Sequence, residues 1–296
     1  MIRILLRKTM KIKILVMSVG PYEKNGTIKW LVKLGAEDLA VVCLPSEFQE
    51  YAESYLKREI EVYIYDEKKY INEDFEFFGF RPRNCGGIGR QGISEAVDKY
   101  GNDYTCFELD DDTSTLVARD SKVRKASSIK DKEQLLSLLT AFYSFYDSLG
   151  IECMAKTGAT PPSGTFVSNR KIFNNFLMDK KDMMKYKGFA ALCSDDYRYN
   201  VYRQLHCRVP MISTELASIM FTQNQGDRND GNAVLYNGDC SWKKSYSLKM
   251  MFPWCVAQRV KKESNRVLFR ENILASKIFP PICISDESGK IVGKLV

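Results

Sequence analysis

A chain of 296 residues with 45% apolar and 27% charged residues can build one large core or two lobes, and it has an ordinary globular composition. A formal charge of +7 favours an anionic partner, whether nucleotide, nucleic acid or phosphate-rich surface. Nine cysteines with no CxxC argue against a zinc ribbon and a fully paired disulfide framework, and a single histidine, His206, excludes a metal site built on several histidines.

The chain opens on a basic, apolar stretch broken by Arg7, Lys8, Lys11 and Lys13. No small-residue cleavage site follows, so neither a signal peptide nor a membrane span is expected, and reduced thiols point to a cytoplasmic protein. Residues 11–18, KIKILVMS, read as a strand that enters the centre of a sheet and ends in the turn Ser18-Val19-Gly20-Pro21. Gly20 would let a ligand approach the backbone closely. A helix is expected over 27–35, a second buried strand over 38–44 and a helix over 46–59, where Phe48, Tyr51, Ala52, Tyr55 and Leu56 recur at helical spacing. Residues 61–65, EVYIY, make a third strand. This alternation predicts a mainly parallel, doubly wound α/β sheet.

Residues 80–101 carry Arg81, Arg83 and Arg90 among Gly86, Gly87, Gly89 and Gly92, ahead of a helix with Ile93, Ala96, Val97 and Tyr100 on one face. A basic glycine loop at a helix start suits a diphosphate, because free backbone N–H groups and the positive helix end face the anion. The GGIGRQG run lacks the spacing of a dinucleotide fingerprint. The next strand, YTCFELDDD, is apolar at Tyr104, Cys106, Phe107 and Leu109 and ends in Asp110, Asp111 and Asp112. Adjacent carboxylates repel one another, so they are tolerated where solvent or a cation screens them. Either a solvated acidic turn or a site for a hard divalent ion fits the tripeptide.

Asp131, with Gln134 three residues on, is expected to cap a helix bearing Leu135, Leu138, Leu139, Phe142, Phe145, Tyr146 and Leu149. Residues 151–167 read as strand and turn. In CSDDYRYNVYRQL, Ser194 can cap a helix whose first turn holds Asp195 and Asp196, either as a base for a hydroxyl or as simple partners of the helix dipole. A strand-like TELASIMFT leads to a polar loop with Gln223 and Gln225, and Trp242, Lys243, Lys244 and Tyr246 then interleave aromatics with cations. That mixture suits stacking on a base or sugar with lysines on phosphate, and equally a solvated basic face. No linker or internal repeat divides the chain, so one domain over 1–296 is expected, with a nucleotide-binding half over 11–120 and an acceptor half over 121–296.

The order of strand plus glycine turn, basic GGIGRQGI helix, strand ending in DDD and a later SDD helix start resembles the GT-A glycosyltransferases, with their Rossmann-like half and acceptor half. A narrower likeness, carried also by FVSNRKIFNNFL, TQNQGDRNDGNAVLYN and WKKSYSLKMMFPW, is to the phage glycosyltransferases associated with TET/JBP-type base hydroxylases. The resemblance implies a donor that is a nucleoside diphosphate sugar, a UDP-sugar by preference, and Mn²⁺ or Mg²⁺ as metal. It makes a hydroxymethylated pyrimidine in phage DNA the acceptor, in the host cytoplasm. It also implies that Asp112 binds the metal, that Asp110 holds the ribose or shares the metal, and that Asp111 supports them. Ser18 and Gly20 would lie by the base, Gly89, Arg90 and Arg83 by the diphosphate, and Gln223, Gln225, Lys243, Lys244 and Tyr246 by the acceptor. Asp196 or Asp195 would be the base of an inverting reaction, with Asp-Asp standing where the family's motif has Glu-Asp. A glycosyltransferase for polysaccharide or lipid, a nucleotidyltransferase and a non-catalytic DNA-binding module are the competing readings.

Overall fold

Four apolar runs rich in β-branched residues pair side by side, as strands buried on both faces do. They are β1 (Ile12–Met17), β2 (Leu39–Cys43), β3 (Glu61–Ile64) and β4 (Thr105–Asp110), all parallel, in the order β3-β2-β1-β4. The computed structural model describes residues 10–18, 20–43, 45–71, 86–111, 113–120, 125–148, 153–157, 166–168, 176–178, 211–220, 240–263, 266–273, 282–285 and 291–295. The expected α/β architecture is present: helices α1 (Gly26–Lys33), α2 (Pro45–Leu56) and α3 (Gly86–Tyr100) connect the strands, and the fold is Rossmann-like.

Strand alternation divides the core. Ile12, Ile14 and Val16 of β1 and Phe107 and Leu109 of β4 pack with Ile28 and Leu31 of α1, Tyr55 of α2, and Leu135 and Leu139 of α4 (Lys132–Ser148). Each fully buried Leu or Ile contributes roughly 1.5–3 kcal/mol relative to exposure. The alternate positions of β1 and β4 meet α3, whose Ile88, Ile93, Ala96 and Val97 are buried. Asp131 caps α4 as expected, accepting the Gln134 N–H at 2.8 Å, while the Gln134 side chain accepts the Lys130 N–H at 3.1 Å.

The expected glycine loop is corrected. Gly86 to Gly92 form the first two turns of α3, and the reason is packing. A Cβ at Gly89 would collide with the Met17 sulfur, and one at Gly92 with the Tyr65 ring, so the missing side chains let α3 lie close on the sheet. Gly92→Ala is expected to cost up to about 2 kcal/mol in urea denaturation, because overpacking costs roughly 1–3 kcal/mol and the gain in helix propensity returns about 1 kcal/mol. Gly89→Ala, facing a flexible thioether, is expected to lie nearer neutral.

Beyond β4 the sheet continues with strands of both polarities. These are β5 (Thr113–Asp120), β6 (Lys125–Ser128), β7 (Cys153–Thr157), β8 (Phe166–Ser168), β9 (Phe176–Met178) and β10 (Met211–Met220). The order is β3-β2-β1-β4-β9-β7-β10-β5-β6, with β8 beside β10, so strands from both parts of the chain share one sheet. Helix α5 (Cys240–Met251) packs on the antiparallel pair β11 (Val256–Glu263) and β12 (Arg266–Ile273), and β13 (Ile282–Ser285) pairs with β14 (Ile291–Leu295).

At the amino-terminal edge of the parallel strands, Glu61 receives Lys13 Nζ at 2.8 Å, Lys99 Nζ at 3.1 Å and the Tyr100 hydroxyl. Lys13 also stacks over the Tyr100 and Tyr104 rings, at 4.8 and 5.4 Å. Burial alone would raise the Glu61 pKa, but the bonds from Lys13, Tyr100 and Lys99 prevail and hold it at about 2, against 4.5 for the free group. A carboxylate depressed on folding contributes its full stability above the unfolded value near 4.5 and loses it as pH falls towards 2. Glu61→Gln is therefore expected to melt below the parent at pH 7, with the gap closing between about pH 4.5 and pH 2 in thermal melts.

Candidate functional site

The carboxyl ends of β1 and β4 are neighbours. Met17 is level with Asp110 in the register, so the Ser18 turn and the aspartate turn leave the sheet together. The chain passes from β1 to α1 on one face and reaches β4 from α3 on the other, which opens a crevice where ligands bind in open α/β sheets.

Helix α1 starts at this crevice and ties both turns down. Asn25, a preferred cap residue, accepts the Ile28 N–H at 2.9 Å. Its amide also reaches the Tyr55 hydroxyl at 3.3 Å, and that hydroxyl donates to the Gly20 carbonyl at 2.6 Å. Ser18 Oγ lies 3.4 Å from the same hydroxyl and accepts the Gly20 N–H at 3.3 Å. Burial pushes the Tyr55 hydroxyl up to about 12; Ser18 and Asn25 oppose the shift, and the charge of Asp111 adds to it. Tyr55 thus remains a neutral donor, and the Asp111 carboxylate lies near enough to act on it.

The aspartates are not equivalent. Glu108 and Asp110 alternate with Leu109 and face α3, where Arg90 meets both. Glu108 is 0% exposed and Arg90 3%, and their side chains form an ion pair. Arg90 Nη2 lies 3.2 Å from Asp110 Oδ1. Arg90, expected on an open diphosphate loop, is instead a buried counter-ion on a helix, and Gly89 beside it serves the helix–sheet contact. The position of Asp110 at the strand end and of Asp111 in the turn agrees with the sequence reading. Asp112, Arg83, Asp195, Asp196, His206, Gln223 and Gln225 lie outside the described residues.

Among the described residues no three His, Cys, Asp or Glu side chains converge on one point. Asp110 and Asp111 nevertheless supply hard oxygen donors at a sheet edge, and the adjacent Asp112 adds a third carboxylate in sequence. Mg²⁺ and Mn²⁺ sites at nucleotides commonly use only one or two protein carboxylates, so this donor set fits such an ion.

On α5, Trp242 is 37% and Tyr246 42% exposed, and their rings stand 6.1 Å apart, tilted by 56°. Lys243 is half-buried, Lys244 belongs to the same helix, and Met250 and Trp254 are also exposed. Ser245, Ser247 and Leu248 face inward. The aromatic and basic side chains singled out in sequence therefore share one helix. Among the described residues no helix is long and apolar enough to cross a membrane.

Four residues here escaped the sequence reading as site components: Asn25, Thr27, Tyr55 and Glu108. Glu108 carried a legible signal, since an acid inside an apolar strand requires a buried cation. Asn25 carried one too, as a cap residue before a helical run. No family profile and no curated protein matches the sequence. Among solved structures, a 4-diphosphocytidyl-2C-methyl-D-erythritol synthase from Anaerococcus prevotii is similar over 74% of this chain and 95% of that chain, at 9% identity and a TM-score of 0.35, a level of likeness that carries no functional assignment.

Proposed function

We propose that this chain is a metal-dependent glycosyltransferase that takes a nucleoside diphosphate sugar as donor. The observation that carries the reading is the placement of Asp110 and Asp111 at the carboxyl edge of β4, level with the Ser18–Gly20 turn of β1 and beside the start of α1. The nucleoside would lie against Ser18 and Gly20, with the diphosphate directed to the aspartates. Asp112, supported by Asp111, would hold Mn²⁺ or Mg²⁺, and Asp110, oriented by Arg90, would hold the ribose or share the ion. A divalent ion bound there supplies charge neutralisation for the departing diphosphate. Because Arg90 is taken up by Glu108 and Asp110, its contribution is to keep Asp110 in place.

Asp196, or its neighbour Asp195, would accept the proton of the acceptor hydroxyl. Trp242, Lys243, Lys244 and Tyr246 on α5, with Gln223 and Gln225, would receive the acceptor, for which a hydroxymethylated pyrimidine in DNA suits the mixture of rings and cations. The testing experiment screens nucleotide sugars for turnover with Mn²⁺ or Mg²⁺, then analyses nucleosides from hydroxymethylated DNA by mass spectrometry. Release of a nucleoside diphosphate together with a sugar adduct on the pyrimidine is expected. Turnover without that adduct removes DNA as acceptor in favour of polysaccharide or lipid. Release of pyrophosphate from a nucleoside triphosphate makes the chain a nucleotidyltransferase instead.

A further inference from the structure

Resting on that reading of the aspartates as the metal site, we infer that Thr27 is the positioning residue that sets the aspartate turn for metal binding. Thr27 lies in the first turn of α1, distant in sequence from the aspartates, and it is 0% exposed. Its hydroxyl donates to the Asp110 carbonyl, with the Thr113 carbonyl a second acceptor at 3.0 Å, and accepts the Thr113 N–H at 2.8 Å. Its own backbone N–H donates to the Asp111 carbonyl at 3.3 Å. One residue thus grips the chain before, within and after the turn that presents the carboxylates.

The turn needs such a grip. β4 and β5 are consecutive in sequence, yet β9, β7 and β10 stand between them in the sheet order, so no β4–β5 ladder braces the turn. Adjacent carboxylates also push one another apart until a cation is bound. Thr27 contributes no carboxylate and orients those that do, as residues outside the ligand set of a metal site commonly do. Its bonds to Asp110 and Thr113 reside in one hydroxyl, and its bond to Asp111 in the backbone. Valine keeps the shape and loses that group; serine keeps the group and loses a methyl.

The test measures Mn²⁺ affinity of the full chain by electron paramagnetic resonance of the free aquo ion, for the parent, Thr27→Val and Thr27→Ser. Hydrogen exchange of the segment 110–116 is measured on the same metal-free proteins, well below the lowest melting temperature. Thr27→Val is expected to weaken Mn²⁺ binding by about 10–100-fold, in line with residues that orient metal ligands. It is also expected to speed exchange of the segment about tenfold, by freeing the Thr113 amide from its bond to the hydroxyl. Thr27→Ser is expected to stay near the parent in both. Parent-like Mn²⁺ affinity in Thr27→Val overturns the positioning role and leaves the metal site standing. A parent that binds no Mn²⁺ removes the glycosyltransferase reading itself, and unchanged exchange in Thr27→Val then removes the clamp as well.

Discussion

Replacing Arg90 with methionine is expected to destabilise the protein by about 3–5 kcal/mol, the usual cost of stripping one partner from a buried ion pair. Glu108 has no access to water, and Arg90 is its ion-pair partner. Without that cation Glu108 must either remain charged in a low-dielectric core or take up a proton. Methionine fills much of the space of the arginine stem, so the loss reads the charge more than the packing. The double variant Arg90→Met/Glu108→Leu removes both charges together and is expected to recover most of that stability, since apolar replacements of a buried pair are often neutral or better. Urea denaturation of the two single variants and the double variant gives the coupling directly. A loss in the double variant equal to the sum of the two single losses would show that the pair does not bear on stability.

Asp111→Ala and Asp112→Ala are each expected to lower turnover of the nucleotide sugar by about 10³-fold, because several kcal/mol of charge stabilisation at the diphosphate disappears and about 4 kcal/mol corresponds to that factor. The fold should survive both changes. The Asp111 contact to Thr27 runs through its backbone carbonyl, which alanine retains. In metal-free buffer the variants should melt at or above the parent, since one of three mutually repelling carboxylates is gone. With Mn²⁺ added, the parent should gain about 2.7 kcal/mol at a hundredfold excess over the dissociation constant, and the variants should gain far less. Full activity, or an undiminished Mn²⁺ shift in both variants, would return the tripeptide to the status of a solvated acidic turn.

Much of the parallel sheet was legible from local pattern. KIKILVM, LAVVC and TCFELD are apolar runs too short for helices and bounded by turn residues, and each became a strand of the central layer. Asp131 and Gln134 announced their helix because capping acts over three residues. The glycine run misled for the opposite reason. Gly89 and Gly92 have no local feature that separates a phosphate loop from close packing, and the deciding atoms, the Met17 sulfur and the Tyr65 ring, lie elsewhere in the chain, at the end of β1 and just past β3. From sequence alone Arg90 reads as a cation for a ligand, because its partners Glu108 and Asp110 sit on the next strand, facing it across the helix–sheet contact.

The sequence by itself determined the α/β class, the strand that ends in Asp110, and the interleaving of aromatics with cations from Trp242 to Tyr246, because periodicity and turn residues are properties of neighbouring residues, whereas the helix that carries those rings and cations came from the structure. Only the tertiary structure decided which carboxylates are already neutralised and what holds the turn in place. Those answers depend on Arg90 lying against β4 and Thr27 lying against Asp110 and Thr113, contacts between residues far apart in the chain that form only when α3 and α1 close over opposite faces of the same sheet.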